Sequence, residues 1–243
     1  MKLSVFLMAT LVAFASMAAA APLCTALVGT GVGGAVTMAD YVALGSGGCV
    51  IGDKLFSSFY YQPSHGGTGP AVAASAVFLT PVDAGTYSPG PGITFSSGSW
   101  FVPGGSTIEP SFFDASITFS VNVLRGGALI EDATLTMGSE SRVTGAGQAT
   151  IGEDVFAANG YTELGVMDVD VNGPLVDHIV FARTSGIQVA KNFFIGVDKN
   201  ATGSARIYSF TENFSEVPEP LGAILIGSGL LALGAWRRRG SRG

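Results

Sequence analysis

Charge is scarce in this chain. Asp, Glu, Lys and Arg make up 12 % of its 243 residues, against about 25 % in an ordinary soluble domain. Histidine is scarcer still. His65 lies in a Gly/Pro/Ser turn and His178 follows Asp177 in a strand-like run, where neighbours point to opposite faces and Asp177 is badly placed to orient it. No serine sits in a G-x-S-x-G elbow, no H-E-x-x-H occurs, and neither cysteine has a base partner; the common nucleophilic and zinc-hydrolase readings fall away. No internal repeat is found, which sets aside solenoids and propellers. No motif calls for a cofactor.

Glycine, by contrast, is plentiful. Its 35 residues are about double the usual share, so Ser, Thr, Asn and Gly must cover the surface, as in extracellular proteins. The few charges are unevenly placed. Between Ala21 and Pro220, seven basic residues (Lys54, Arg125, Arg142, Arg183, Lys191, Lys199 and Arg206) face eighteen acidic ones, a net charge of −11 that the whole-chain value of −6 conceals. Such a domain repels polyphosphate, and nucleic acid is excluded as a partner.

Both ends read as transit devices. Lys2, an apolar run from Leu3 to Phe14 and Ala18-Ala19-Ala20 form a secretory signal over residues 1–20, with Ala21 first in the mature chain. At the other end Leu221 to Trp236 carries no charge. As a helix it spans about 24 Å, short of the hydrocarbon core of about 30 Å. Arg237, Arg238 and Arg239 close it and hold that end on the cytoplasmic side.

Cysteine usage fits export. Cys24 and Cys49 pair most simply in an oxidising compartment, and the loop-entropy model gives the closure about 3.5 kcal/mol; the competing reading is two buried free thiols. Between them Thr37-Met38-Ala39-Asp40 has the form of a helix start with Asp40 at N3, and Gly45 is placed as its left-handed stop. One short helix is expected over Thr37 to Leu44.

Beyond Cys49 the period becomes two. Ile117, Phe119, Val121 and Val123 alternate with Thr118, Ser120 and Asn122, as in a strand with one buried face. Comparable runs lie at 50–61, 72–80, 133–138, 148–156, 163–171, 176–183, 188–197 and 204–214, separated by turns such as Pro63-Ser64-His65-Gly66-Gly67 and Asn172-Gly173-Pro174. The expected fold is all-β: an antiparallel, jelly-roll-like sandwich over residues 21–216 with one short N-terminal helix.

Several motifs carry competing readings. Gly29-Thr30-Gly31-Val32-Gly33-Gly34 matches G-x-G-x-x-G literally but lacks the strand and helix that a dinucleotide fingerprint needs; a glycine-rich approach to the first helix accounts for it better. Asp168, Asp170 and Asn172 match the opening of a calcium loop, although Ile179 stands where a bidentate Glu is required; the alternative is a β-hairpin with its carboxylates on the wet face. Glu109, Asp114, Glu153 and Asp154 are the carboxylates from which a glycosidase pair would be assembled, but nothing in the sequence singles out two of them. Tyr60, Tyr61, Tyr87 and Trp100 are the rings best suited to stack on sugars, with ordinary strand packing as the competing role.

Val217-Pro218-Glu219-Pro220, the apolar segment and the Arg cluster resemble the PEP-CTERM sorting tail of exported proteins from Gram-negative bacteria that make exopolysaccharide. Cys24-Thr25, the stretch Ala39 to Gly45 and the stretch Gly48 to Ser57 are similar to the N-terminal region of one abundant group of these proteins. The resemblance implies that Pro218, Glu219 and Pro220 are recognised by an exosortase, that the tail 217–243 holds the chain in the inner membrane only transiently, and that the mature protein reaches the cell surface or its polysaccharide matrix. It implies no shared biochemical activity. A structural or adhesive matrix component is the expected function, with a carbohydrate-binding module as the alternative and a glycan-active enzyme third.

Overall fold

A computed structural model of the protein describes residues 20–83, 90–104 and 109–216. The signal segment 1–20 save Ala20, Tyr87, and the tail with Pro218, Glu219, Pro220, Arg237, Arg238 and Arg239 lie outside the described residues. Among those described, no helix is long and apolar enough to cross a membrane.

Alternating sequence becomes strand almost throughout. In chain order the strands are β1 (Cys49–Ile51), β2 (Lys54–Gly66), β3 (Phe78–Val82), β4 (Gly92–Ser96), β5 (Phe101–Pro103), β6 (Ser111–Val123), β7 (Ile130–Met137), β8 (Arg142–Gly145), β9 (Gly147–Ala157), β10 (Glu163–Asp170), β11 (Val176–Thr184), β12 (Gly186–Val197), β13 (Gly203–Arg206) and β14 (Ser209–Glu216). They form a six-stranded sheet in the order β1-β2-β6-β12-β9-β10, a five-stranded sheet β11-β7-β14-β4-β3 and a three-stranded sheet β5-β13-β8. All the strand pairings are antiparallel, so the expected sandwich class holds.

The core between the two larger sheets is aromatic. Phe59 stacks on Phe119 at 5.2 Å within the six-stranded sheet, Phe95 on Phe210 at 4.9 Å within the five-stranded one, and Phe56–Phe214 and Phe95–Phe119 contacts at 6.0 and 6.1 Å join the two. Trp100, fully buried, sits edge-on to Phe193 at 4.8 Å and stacked on Phe210 at 5.6 Å.

The N-terminal segment is tied to the sheet edge. Cys24 and Cys49 form a disulfide, and the Val50 amide donates to the Pro22 carbonyl at 2.8 Å. The helix α1 (Met38–Ala43) starts in a full capping box between Thr37 and Asp40. Slight burial pushes the Asp40 carboxyl upward, but hydrogen bonds from the amides and hydroxyls of Thr37 and Thr30 outweigh it and hold the group below the usual carboxylate range.

Three expected strands are broken. The stretch 50–61 turns back at Gly52-Asp53 to pair β1 with β2. The stretch 72–80 begins with a single helical turn, Ala74–Ala76, before β3. The stretch 204–214 divides because its burial changes parity: Ala205 and Ile207 are buried, then Phe210, Glu212 and Phe214. The chain steps there from the three-stranded to the five-stranded sheet. Pro63 lies in the part of β2 beyond the reach of β1, and Pro81 lies in β3, the outer strand of its sheet; both are edge positions, where a missing backbone donor is tolerated.

Replacing Trp100 removes the largest ring of this core. Trp100→Ala is expected to lower stability by about 3–5 kcal/mol, read as a shift of the urea midpoint.

Candidate functional site

The same alternation that fills the core lays the other half of each strand on the outer face of the six-stranded sheet. Register fixes which residues share a row across it. One row runs Gln62, Ser116, Asn192, Gly152, Asp168; the next runs Tyr60, Thr118, Ala190, Asp154, Val166; a third brings Ser120, Gln188 and Phe156 side by side. Hydroxyl and amide side chains dominate this face.

A bulge shapes it. Between the pairs Ser57–Ser120 and Tyr60–Thr118, two residues of β2 oppose one of β6, and Ser58 takes a left-handed backbone with φ of 57°. A non-glycine residue there carries strain, and bulges re-aim side chains. Phe59 goes into the core, while Ser58 and Tyr60 face solvent.

Beside the bulge lies a cleft of about 330 Å³ lined by Ser58, Thr118, Ser120, Phe156, Gly160 and Gln188. Its wall is the turn after β9. The Asn159 side chain accepts from the amides of Tyr161 and Thr162 at 3.0 and 3.1 Å, an Asx turn that leaves Tyr161 92 % exposed. Gly160 adopts φ of +72°, and a Cβ there would stand 2.8 Å from the Gln188 side chain; glycine therefore lets the turn close over that amide. Tyr60, 51 % exposed, borders the floor and donates its hydroxyl proton to Gln62 at 2.9 Å. The site thus combines polar hydrogen-bonding groups held on strands with two accessible rings.

The expected rings divide accordingly. Tyr60 faces out. Tyr61, its neighbour in the strand, points the other way, packs against the core and donates its hydroxyl to the Val72 carbonyl at 3.0 Å. Trp100 is not a platform at all: it is sealed among Phe193 and Phe210, so its emission reports folding rather than ligand. Tyr87 is outside the described residues. Tyr161 and Gln188 were not among the sequence candidates; the Asn159-Gly160 pair is the turn signal that marks the loop presenting Tyr161, while Gln188 lies on β12.

The carboxylates do not assemble a hydrolytic pair. Glu153 is buried inside the sandwich. Asp114 and Asp154 share the outer face, but they sit on β6 and β9 with β12 between and four residues apart in register, which separates them by about 16 Å, beyond the reach of either glycosidase geometry. Asp114 keeps one carboxylate oxygen buried without a hydrogen-bond partner, and burial pushes its pKa up despite a bond from the Ala115 amide.

Asp168, Asp170 and Asn172 behave as neither a calcium loop nor a paired hairpin. The Asp168 amide donates to Asp177 at 2.8 Å, and the Asp170 carboxylate takes the Asn172 amide at 2.6 Å. β10 and β11 belong to different sheets, so the chain arches across the sandwich edge here. Among the described residues no group of three or more His, Cys, Asp or Glu side chains is placed to hold a metal ion. A second concavity, lined by Glu140, Arg142, Arg206 and Tyr208, has its Arg206 guanidinium occupied by the Phe101 ring at 5.2 Å.

Compared with protein-family models and with characterised proteins, the chain matches none. Several solved structures overlap it, two of them as follows. One belongs to carbohydrate-binding modules of the β-sandwich superfamily described for promiscuous specificity, with 8 % identity and a TM-score of 0.28; the overlap covers 66 % of this chain and 57 % of that one. The other is a mannan-recognising carbohydrate-binding module, with 11 % identity, a TM-score of 0.24, and 66 % and 88 % of the two chains covered. Overlaps of that degree carry no argument about what this chain does.

The raised Asp114 carboxyl yields a signed prediction. The folded chain holds this proton more tightly than the unfolded one, so its contribution to stability is greatest at low pH and is lost as pH rises from the ordinary value of 3.8 through the raised one. Subtracting the profile of Asp114→Asn from that of the native protein in urea titrations is expected to isolate this decline.

Proposed function

We propose that the domain is a non-catalytic glycan-contacting module of an exported surface or matrix protein. The observation that carries this is the outer face of the six-stranded sheet: rows of hydroxyl and amide groups leading into a cleft, with exposed Tyr60 paired to its Thr118 and exposed Tyr161 next in chain to its Gly160. Sugars present hydroxyls in a plane and C–H groups on their faces. Rigid amide and hydroxyl side chains answer the former, and exposed rings the latter. A site built on strands keeps such groups in fixed relation. The net negative charge of the domain suits an uncharged polymer.

Catalysis is not part of this reading: of the carboxylates the sequence offered, Glu153 is buried in the core and Asp114 and Asp154 lie about 16 Å apart. A purely structural role in the matrix is the second reading, favoured by the dense aromatic core and the disulfide.

The sorting tail completes the proposal. Pro218, Glu219 and Pro220 followed by an apolar run and an arginine cluster support export, transient inner-membrane anchoring and processing by an exosortase in a Gram-negative host. Proline has no amide donor and disfavours helix in the residue before it, properties that suit a segment a transferase must engage.

Affinity electrophoresis of the protein through gels containing the host's exopolysaccharide tests the binding reading. Retardation is expected, weakened about three- to tenfold by Tyr161→Ala; unretarded migration of the native protein overturns it in favour of a structural role. For the tail, protein recovered from the host envelope and matrix is expected to yield no peptide containing Trp236, and recovery of an intact C-terminus contradicts processing.

A further inference from the structure

Three charged side chains meet where the sandwich is driest. Lys191 projects inward from β12 and Glu153 from β9, paired directly across the six-stranded sheet. Glu212 projects from β14, the middle strand of the facing sheet. All three side chains are fully buried. The Lys191 Nζ contacts Glu153 Oε2, and it donates to Glu212 Oε2 at 2.5 Å. The rings of Phe119 and Phe210 stand over the same nitrogen, each 5.9 Å from it. The second oxygens of Glu153 and Glu212 are buried without partners.

As an ion cluster this arrangement is costly. Each buried ion carries a desolvation penalty of several kcal/mol, recovered only when its remaining hydrogen-bonding capacity is met, and two carboxylate oxygens here have none. Neutral forms relieve the cost. Burial pushes the Lys191 ammonium toward the amine against the pull of Glu212, and burial raises the Glu212 carboxyl to about 7. An amine touching a carboxyl group, with a second carboxyl beside the nitrogen and apolar walls that exclude water, is arranged for condensation rather than for salt-bridge formation. Fixed proximity supplies the effective concentration that such a reaction needs.

We propose that Lys191 and Glu153 join in an intramolecular isopeptide bond, with Glu212 as the proton relay. A proton passes from the Lys191 ammonium to Glu153, leaving an amine and a carboxylic acid. The Nζ lone pair adds to Glu153 Cδ and the C–N bond forms. Glu212 gives its proton to the departing hydroxyl and takes one from Nζ, as a general acid and base; the C–O bond breaks and one water leaves. Glu212 ends in its starting state, nothing is oxidised or reduced, and the product buries an amide in place of two charges. Its N–H is left facing Glu212, which supplies an acceptor.

Tryptic mapping of the reduced, denatured full chain tests this. No Lys or Arg interrupts 143–182, so Glu153 lies in the peptide 143–183, and cleavage after Lys191 would release 184–191. The expected product is a branched species in which 143–183 is joined to 184–199, uncut at Lys191; because linear 143–199 has the same mass, the branch is identified by sequential N-terminal degradation, which releases Val143 and Thr184 together, and the intact denatured chain is one water lighter than its sequence requires. Lys191→Met is expected to give only linear peptides. Glu212→Gln is expected to remain folded by circular dichroism and to leave most of its chains unlinked. Separate linear peptides from the native protein, with cleavage after Lys191, would overturn the bond. A branch through the peptide beginning at Ile207 would overturn the choice of Glu153, and full cross-linking in Glu212→Gln would overturn the relay.

Discussion

Placing a lysine at the middle of a two-sheet core constrains this fold more than any other single interaction. An unpaired buried charge costs several kcal/mol, so β12 must present Lys191 where β9 supplies Glu153 and the opposite sheet supplies Glu212. A slip of one residue in any of the three strands would turn its charge out to solvent and strand the others. Hydrophobic packing drives the sheets together, but it is tolerant of small shifts; the charge cluster is not. It therefore pins the register of the two sheets and their relative placement, while the surrounding Phe rings provide most of the burial.

That fixed register has a second effect on the opposite surface. Because strand side chains alternate, every inward choice dictates an outward one. Positioning Val189, Lys191 and Phe193 inside commits Gln188 and Asn192 to the outer face, and Phe119 and Ile117 inside commit Thr118, Ser116 and Ser120 beside them. The cleft floor is thus built by the core, and only its wall, the Asn159 turn, is a loop. The candidate site accordingly inherits the rigidity of the sheet.

Much of this was legible in the residues. The period-two runs gave the strand class, Thr37 and Asp40 gave the helix start, and Cys24 with Cys49 gave the bridge. Strand breaks were harder, because the parity change after Ile207 depends on which sheet the chain joins, a tertiary fact. The bulge at Ser58 was likewise invisible, since nothing local marks a serine for a left-handed backbone. Trp100 was misjudged because nearby Gly and Pro suggest exposure, whereas Phe193 and Phe210 close over it from distant strands. The charge cluster had a usable signal that went unread: Val189-x-Lys191-x-Phe193, Ile151-x-Glu153-x-Val155 and Phe210-x-Glu212-x-Phe214 each place one ionisable residue on an otherwise apolar stripe. Three such interruptions of compensating sign foretell a shared interior site. Gly160 and Gln188 meet only because the folded turn lays its backbone against β12.

The two border prolines bear on how copies of this protein coexist. Exposed strand margins invite pairing between neighbours. Pro63 and Pro81 each delete a backbone donor from a margin of one of the two main sheets, so a second copy finds an interrupted ladder instead of a template. The consequence is a pair of sheet margins that resist templated strand addition without needing a covering loop.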